Sequence, residues 1–196
     1  MESIYTDSDV ATILLNGGVG VMPTDTVYGL VARAQDIKAT TRLYELKNRE
    51  RKPGTVIAAN IEQLASLGVS KKYLRVAKRF WPNPISVVIP LNSDLNYLHH
   101  RVSSMPFRVV ANKQLSQFLE LTGPLVTSSA NHPGQPVSNT ITEAKVYFKD
   151  KVDFYIDGGD LSARPPSTII RINNDNSIEV IREGIINPTL KILNRG

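Results

Sequence analysis

A chain of 196 residues with 41% hydrophobic residues has enough apolar surface to bury the core of one globular domain. It contains no cysteine, which excludes a disulfide framework, a thiolate zinc site and a cysteine nucleophile. Its net charge of +5 is spread along the chain and suits either a solubilising surface or an anionic partner such as a nucleotide, a phosphate or an RNA.

The first residues, MESIYTDSDV, lack the basic and apolar regions of a signal peptide. No apolar run approaches the ~18 residues that cross a bilayer. A cytoplasmic protein without a membrane partner is expected. Val10, Ile13 and Leu14 predict a helix over Asp7 to Asn16, with Asp7 or Ser8 as N-cap and Gly17-Gly18 as its end. VGVM, Val19 to Met22, reads as a short buried strand, and Ile37 to Lys47 as a helix. TVIAA, Thr55 to Ala59, is a strand, and NIEQLASLG is a short capped helix closed by Gly68. Lys71 to Phe80 is a basic amphipathic helix stopped by Pro82 and Pro84. Strands follow at Ile85 to Pro90 and Phe107 to Ala111, then a helix over Lys113 to Leu121, the strand PLVTS and a helix over Ile141 to Phe148. VDFYI, STIIRI and SIEVIR complete the strands, the last two joined by the polar turn NNDN and so antiparallel. The pattern is that of an α/β domain over 1–184, with a mixed twisted sheet of about seven strands between helices on both faces, and a short tail over 185–196.

Several stretches can carry chemistry. MPTDTVYGL runs a buried strand into Thr24, Asp25 and Thr26, where open α/β sheets hold ligands, although the same residues also make caps and turns. LKNRERKPG places Lys47, Arg49, Arg51 and Lys52 at a helix end; such cations complement the helix dipole, and so dense a loop also suits phosphate oxygens. Trp81 in WPNPISVVIP reads as core and turn. PLVTSSANHPGQP stacks Thr127, Ser128, Ser129 and Asn131 where a strand ends, either as a polar turn or to orient a ligand with neutral hydrogen bonds. Ser167 and Thr168 open STIIRI, and Arg182 stands in VIREG. The sequence has neither a Walker P-loop nor a G-x-G-x-x-G fingerprint. The three histidines, His99, His100 and His132, suggest neither a Ser-His-Asp triad nor a metal set.

In this order, MPTDTVYGL, LYELKNRERKPG with IAAN, RFWPNPISVVIP, PLVTSSANHPGQP, STIIRI and VIREG resemble the YrdC (TsaC) family over roughly Val19 to Gly184. Each piece alone is weakly specific; the ordered set is highly specific. The resemblance implies a YrdC-like three-layer fold with a deep basic central cavity. It implies a threonylcarbamoyl-AMP synthase that joins L-threonine, bicarbonate and ATP and releases pyrophosphate, with Mg²⁺ bound on ATP. The product would serve threonylcarbamoyladenosine modification at position 37 of tRNA through TsaB–TsaD–TsaE, and direct binding of tRNA or double-stranded RNA is a further implied partnership. The short remainder after Gly184 implies a form without the second Sua-type domain of longer relatives.

Carried over by motif, Lys47, Arg49 and Lys52 match the catalytic cations for the triphosphate. Thr26, Arg108, Ser129 and Ser167 match threonine contacts. Ser104, Asn131, Asn139 (or its neighbour Ser138) and Arg182 match ATP contacts. Two departures bear on this. SMPFRVVANKQ keeps Arg108, has Ser104 in place of a threonine, and lacks the family's His-Pro turn. The NRERKPG loop is one residue short between Arg49 and Lys52, so that Arg51 is expected to share the role of Lys52. Two other readings remain: an RNA-binding module using Lys71, Lys72, Arg75, Lys78 and Arg79, and a carbamoyl transferase on the same fold.

Overall fold

The computed structural model describes residues 8–48, 52–173 and 177–187. Helix α1 (Ser8–Leu15) leads into β1 (Val19–Pro23) and β2 (Tyr28–Arg33), followed by α2 (Ile37–Leu46) and β3 (Thr55–Ala58). Next come α3 (Ile61–Ser66), α4 (Lys71–Ala77), β4 (Ile85–Pro90), α5 (Asn96–His99) and β5 (Ser104–Val109). Helix α6 (Lys113–Thr122), β6 (Leu125–Ser129), α7 (Ile141–Phe148), β7 (Phe154–Tyr155), β8 (Thr168–Ile172) and β9 (Ile178–Arg182) complete the chain. Short polar residues start the helices as their side chains accept the orphan amides of the first turn. Asp36, Asn60 and Asn112 each accept such an amide at 2.9 Å. Thr140 caps α7, while Glu143 reaches back to the Asn139 amide at 2.7 Å, a reciprocal pair.

The nine strands among the described residues form one mixed sheet in the order β7-β1-β2-β6-β3-β5-β4-β8-β9. Pairs β1–β7, β3–β5 and β4–β8 are parallel and the other five antiparallel, including β8–β9. The count exceeds the expected figure of about seven. Strand β2 escapes the periodicity because YGLVAR is buried on both faces and shows no alternation. The four-residue α5 is too short to leave a helical period. Other bounds differ as well. Helix α4 ends at Ala77 and tightens into a 3₁₀ turn over Lys78–Phe80, β5 starts at Ser104 rather than Phe107, and β7 is two residues long.

Alternate strand residues feed two cores, one on each sheet face. Leu30, Ala32, Val56, Ala58 and Val126 pack with Leu43, Leu64, Leu74 and Phe148 of α2, α3, α4 and α7. Val31, Ile57 and Leu125 pack on the opposite side with Val10 and Leu14 of α1 and Leu115 and Phe118 of α6. Trp81 is buried and donates its indole N–H to the Ile85 carbonyl at 2.9 Å, a core residue as expected.

Candidate active site

The face that lies under α1 and α6 continues past them. Two residues on from Val31, Ile57 and Leu125, in the direction set by each strand, it carries Gly29, Thr55 and Thr127, all small or polar. With Thr24, Thr26, Pro106, Arg108 and Ser167 they line a hollow of about 370 Å³, to which neither α1 nor α6 contributes a residue. An amphipathic sheet face thus turns polar where its helical cover ends. Gly29 is needed there: a Cβ on it would stand 2.3 Å from the Thr127 hydroxyl.

The β1–β2 connection divides its hydroxyls between structure and site. Thr24 donates to the Val27 carbonyl at 2.7 Å and accepts from the Thr26 amide at 3.3 Å, closing the turn. Thr26 is buried on the hollow's wall. Beside it runs a polar relay. Arg108 donates to Asp25 at 2.7 Å and to Ser86 at 2.9 Å, Ser86 and Ser167 share a hydrogen bond of 3.2 Å, and Arg182 donates to the Ser167 hydroxyl at 3.0 Å and carbonyl at 2.7 Å. The Arg108 and Asp25 side chains are only 3% and 6% exposed, so this ion pair is dry. Asp25 Oδ2 and Arg108 Nε are buried with no hydrogen-bond partner among the described residues.

Ser129 opens onto a second, larger hollow of about 1220 Å³, lined also by Lys47, Lys52, Asn131, Tyr44, Glu45, His100 and Arg101. The SSAN segment at this junction is a closed knot. Lys47 Nζ donates to the carbonyls of Ser129 and Asn131 and to Asn131 Oδ1. Ser129 donates to the same Oδ1 at 2.7 Å, and the Asn131 amide donates to the Gln135 carbonyl at 2.6 Å. Ser138 donates to the Ala130 carbonyl at 2.5 Å and faces inward, whereas Asn139 lines the smaller hollow.

The structure therefore gathers Thr26, Arg108, Ser129, Asn139, Ser167 and Arg182 around one hollow, and Lys47, Lys52, Ser129 and Asn131 around the other. Ser104 stands apart, on a separate hollow with Lys72 and Arg171. Arg49 and Arg51 lie outside the described residues. Sequence reasoning missed the partnership of Asp25 with Arg108, and missed Ser86, Arg164 and the His100–Arg101 turn. Ser86 left a signal, a polar residue inside the apolar run ISVVIP; the others left none. The five cations of α4 and its 3₁₀ turn are all exposed, with Lys72 over the Tyr73 ring at 5.7 Å and Arg79 over Phe80 at 5.0 Å. Among the described residues no three His, Asp or Glu side chains cluster to hold a metal ion. No helix among them is long and apolar enough to cross a membrane.

Comparison with known proteins bears on the family and the fold. The model of the Sua5/YciO/YrdC family, described as "Telomere recombination", matches residues 12–184. The chain is 30% identical to a putative threonylcarbamoyl-AMP synthase of Methanocaldococcus jannaschii, across 88% of this chain and 83% of that one. It is 32% identical to the threonylcarbamoyl-AMP synthase of Pseudomonas aeruginosa, across 87% of this chain and 94% of that one. The crystal structure of Pyrococcus abyssi Sua5 complexed with L-threonine superposes with a TM-score of 0.78 at 28% identity, covering 92% of this chain and 54% of that longer one. With its model matched from residue 12 to residue 184, this chain belongs to the Sua5/YciO/YrdC family.

Proposed function

We propose that the protein is an L-threonylcarbamoyladenylate synthase. One observation carries this reading: two hollows of unequal size, joined at Ser129, one walled by hydroxyls around a buried arginine and the other edged by cations. The smaller suits an amino acid, the larger a nucleoside triphosphate. We read them together as the deep basic cavity that the family resemblance implies, and the relatives named as threonylcarbamoyl-AMP synthases support the assignment.

In the smaller hollow, Arg108 receives the threonine carboxylate while Thr26, Ser129 and Ser167 orient the hydroxyl and amine. The amine adds to carbon dioxide derived from bicarbonate and gives a carbamate. A carbamate oxygen then bonds to the α-phosphorus as the α–β bridging P–O bond breaks, and pyrophosphate leaves with the electron pair. This chemistry calls for alignment and charge rather than an acid–base residue, as in other phosphoryl transfers. Lys52 and Arg49 hold the departing phosphates. Lys47 adds charge at the hollow's edge while its N–H groups brace Ser129 and Asn131. Asn139 and Arg182, on the wall of the smaller hollow, contact the nucleotide from that side. Mg²⁺ bound on the triphosphate would find hard oxygen donors on the larger hollow in the Glu45 carboxylate and the Thr41 and Asn48 side chains. When bound, it screens triphosphate charge. The product would pass in the cytoplasm to the TsaB–TsaD–TsaE apparatus for tRNA position 37.

A second reading has its own observation. Lys71, Lys72, Arg75, Lys78 and Arg79 are exposed together and enter none of the three ion pairs among the described residues. Such a face binds an RNA backbone without any chemistry. The deciding experiment incubates the protein with ATP, bicarbonate and labelled threonine. Pyrophosphate release that requires both threonine and bicarbonate is expected. Release without threonine, or none from folded protein that binds RNA, would overturn the synthase reading.

A further inference from the structure

A triphosphate needs cations with donors to give, and Lys47 has few to spare: its ammonium already meets three oxygens of the SSAN knot. Among the described residues that line the larger hollow, the remaining cations are Lys52 and Arg101. Arg101 is exposed and takes part in none of the three ion pairs.

Its backbone is unusual. His100, Arg101 and Ser103 have φ of 48°, 62° and 60°, the left-handed region that glycine adopts freely and other residues seldom do. Three such residues in four persist only where surroundings over-determine them, and such strain gathers at ligand sites. The surroundings are visible. The His99 ring bridges the Asn92 carbonyl at 3.0 Å and the Ser103 amide at 3.2 Å. The His100 ring stands edge-on to Tyr44 at 4.0 Å. The Tyr44 hydroxyl donates to the Leu98 carbonyl at 2.7 Å and accepts from the Gly54 amide at 3.1 Å. One buried hydroxyl thus pins the turn that bears Arg101 to the end of the loop that bears Lys52. A solvated surface arginine requires no such anchoring.

We propose that Arg101 is a phosphate-binding residue of the larger hollow, joining Lys52 on the β- and γ-phosphate end of a nucleoside triphosphate. The proposal rests on the synthase reading and deepens it. A planar guanidinium suits this task because it offers two parallel donors to phosphate oxygens.

The test compares wild type, Arg101→Ala and Arg101→Lys in competition with a fluorescent ATP analogue, using ATP, inorganic tripolyphosphate and AMP as competitors. Threonine is titrated separately. Arg101→Ala should weaken ATP and tripolyphosphate about tenfold or more while AMP and threonine change less than about twofold, and Arg101→Lys should recover part of the loss. Unchanged tripolyphosphate binding in Arg101→Ala overturns the proposal, as does an equal loss of AMP and threonine, which would mark a structural role. If wild type binds tripolyphosphate through Arg101 yet releases no pyrophosphate, the synthase reading fails and the phosphate site stands. If wild type binds neither ATP nor tripolyphosphate, both fail.

Discussion

Arg108 shows how one side chain is shared between fold and site. It directs one nitrogen to Asp25, 83 positions away in the chain, and another to Ser86 across the β4–β5 pair. Arg108→Ala would leave the Asp25 carboxylate buried and unpaired, at a cost of about 3–5 kcal/mol in stability. Arg108→Lys is the cleaner probe, since it keeps the charge but loses the fork that reaches two partners at once. We expect Arg108→Lys to weaken threonine binding by about 1.5–3 kcal/mol, the worth of a charged hydrogen bond, and to leave ATP binding unchanged. Ser129→Ala should cost threonine less, about 0.5–1.5 kcal/mol, because its bond is neutral. Calorimetric titration of both ligands checks this. Threonine binding like wild type in Arg108→Lys would give the carboxylate to another cation on the smaller hollow, Arg164 or Arg182.

At the scale of elements, the site depends on how closely the cation loop approaches β6. Gly54 packs so tightly that a Cβ would lie 2.6 Å from the Thr127 carbonyl oxygen and 3.2 Å from Val126 Cγ2. Both are fixed within the sheet, so the loop itself must move. Gly54→Ala should lower stability by about 1–3 kcal/mol and weaken ATP and threonine together, since the loop borders both hollows through Lys52, Pro53 and Gly54. A thermal melt and the same two titrations test it; loss of ATP alone would mean that Lys52 moves while the wall of the smaller hollow does not. The elements themselves were largely legible, because ISVVIP, PLVTS or KQLSQFLELT carry their own period and caps. What stayed hidden has a physical cause in each case. Strand β2 is buried on both faces, so its apolar run has no alternation to read. The motifs pointed to hydroxyls and cations, several of which line the two hollows, yet nothing local could reveal that Lys47 closes a knot with Asn131, 84 positions on. Partnerships of that kind are made by the sheet order, which places β6 between β2 and β3.

Across the whole molecule, the long loop after β7 is fastened to the central sheet by the Ile156 N–H, which donates to the Val21 carbonyl at 2.9 Å, and by a buried phenol. The Tyr28 side chain is fully buried. Its hydroxyl donates to the Gly159 carbonyl at 2.9 Å and accepts from the Gly158 amide at 2.7 Å, with the Asp157 carboxylate at 3.3 Å. Burial raises its pKa above the ordinary 10.0, and Asp157 adds to the rise against the opposing Gly158 amide. Burial raises Tyr97 and Tyr155 as well. The fold therefore favours the protonated phenol. Its contribution is fully present below the unfolded value of 10.0 and is lost as pH rises through the higher folded value. At neutral pH, Tyr28→Phe should cost about 1–3 kcal/mol, because the Gly158 and Gly159 groups lose a buried partner. Above pH 10.0 the wild type must either keep the phenol neutral or bury a phenolate, and Phe faces no such choice. Urea unfolding of both proteins from neutral to alkaline pH should show the gap between them narrowing beyond pH 10.0. Parallel curves across that range would mean that the Tyr28 hydroxyl is as well hydrated in the folded chain as in the unfolded one, and the loop would then owe its position to the Phe154 and Ile156 side chains instead.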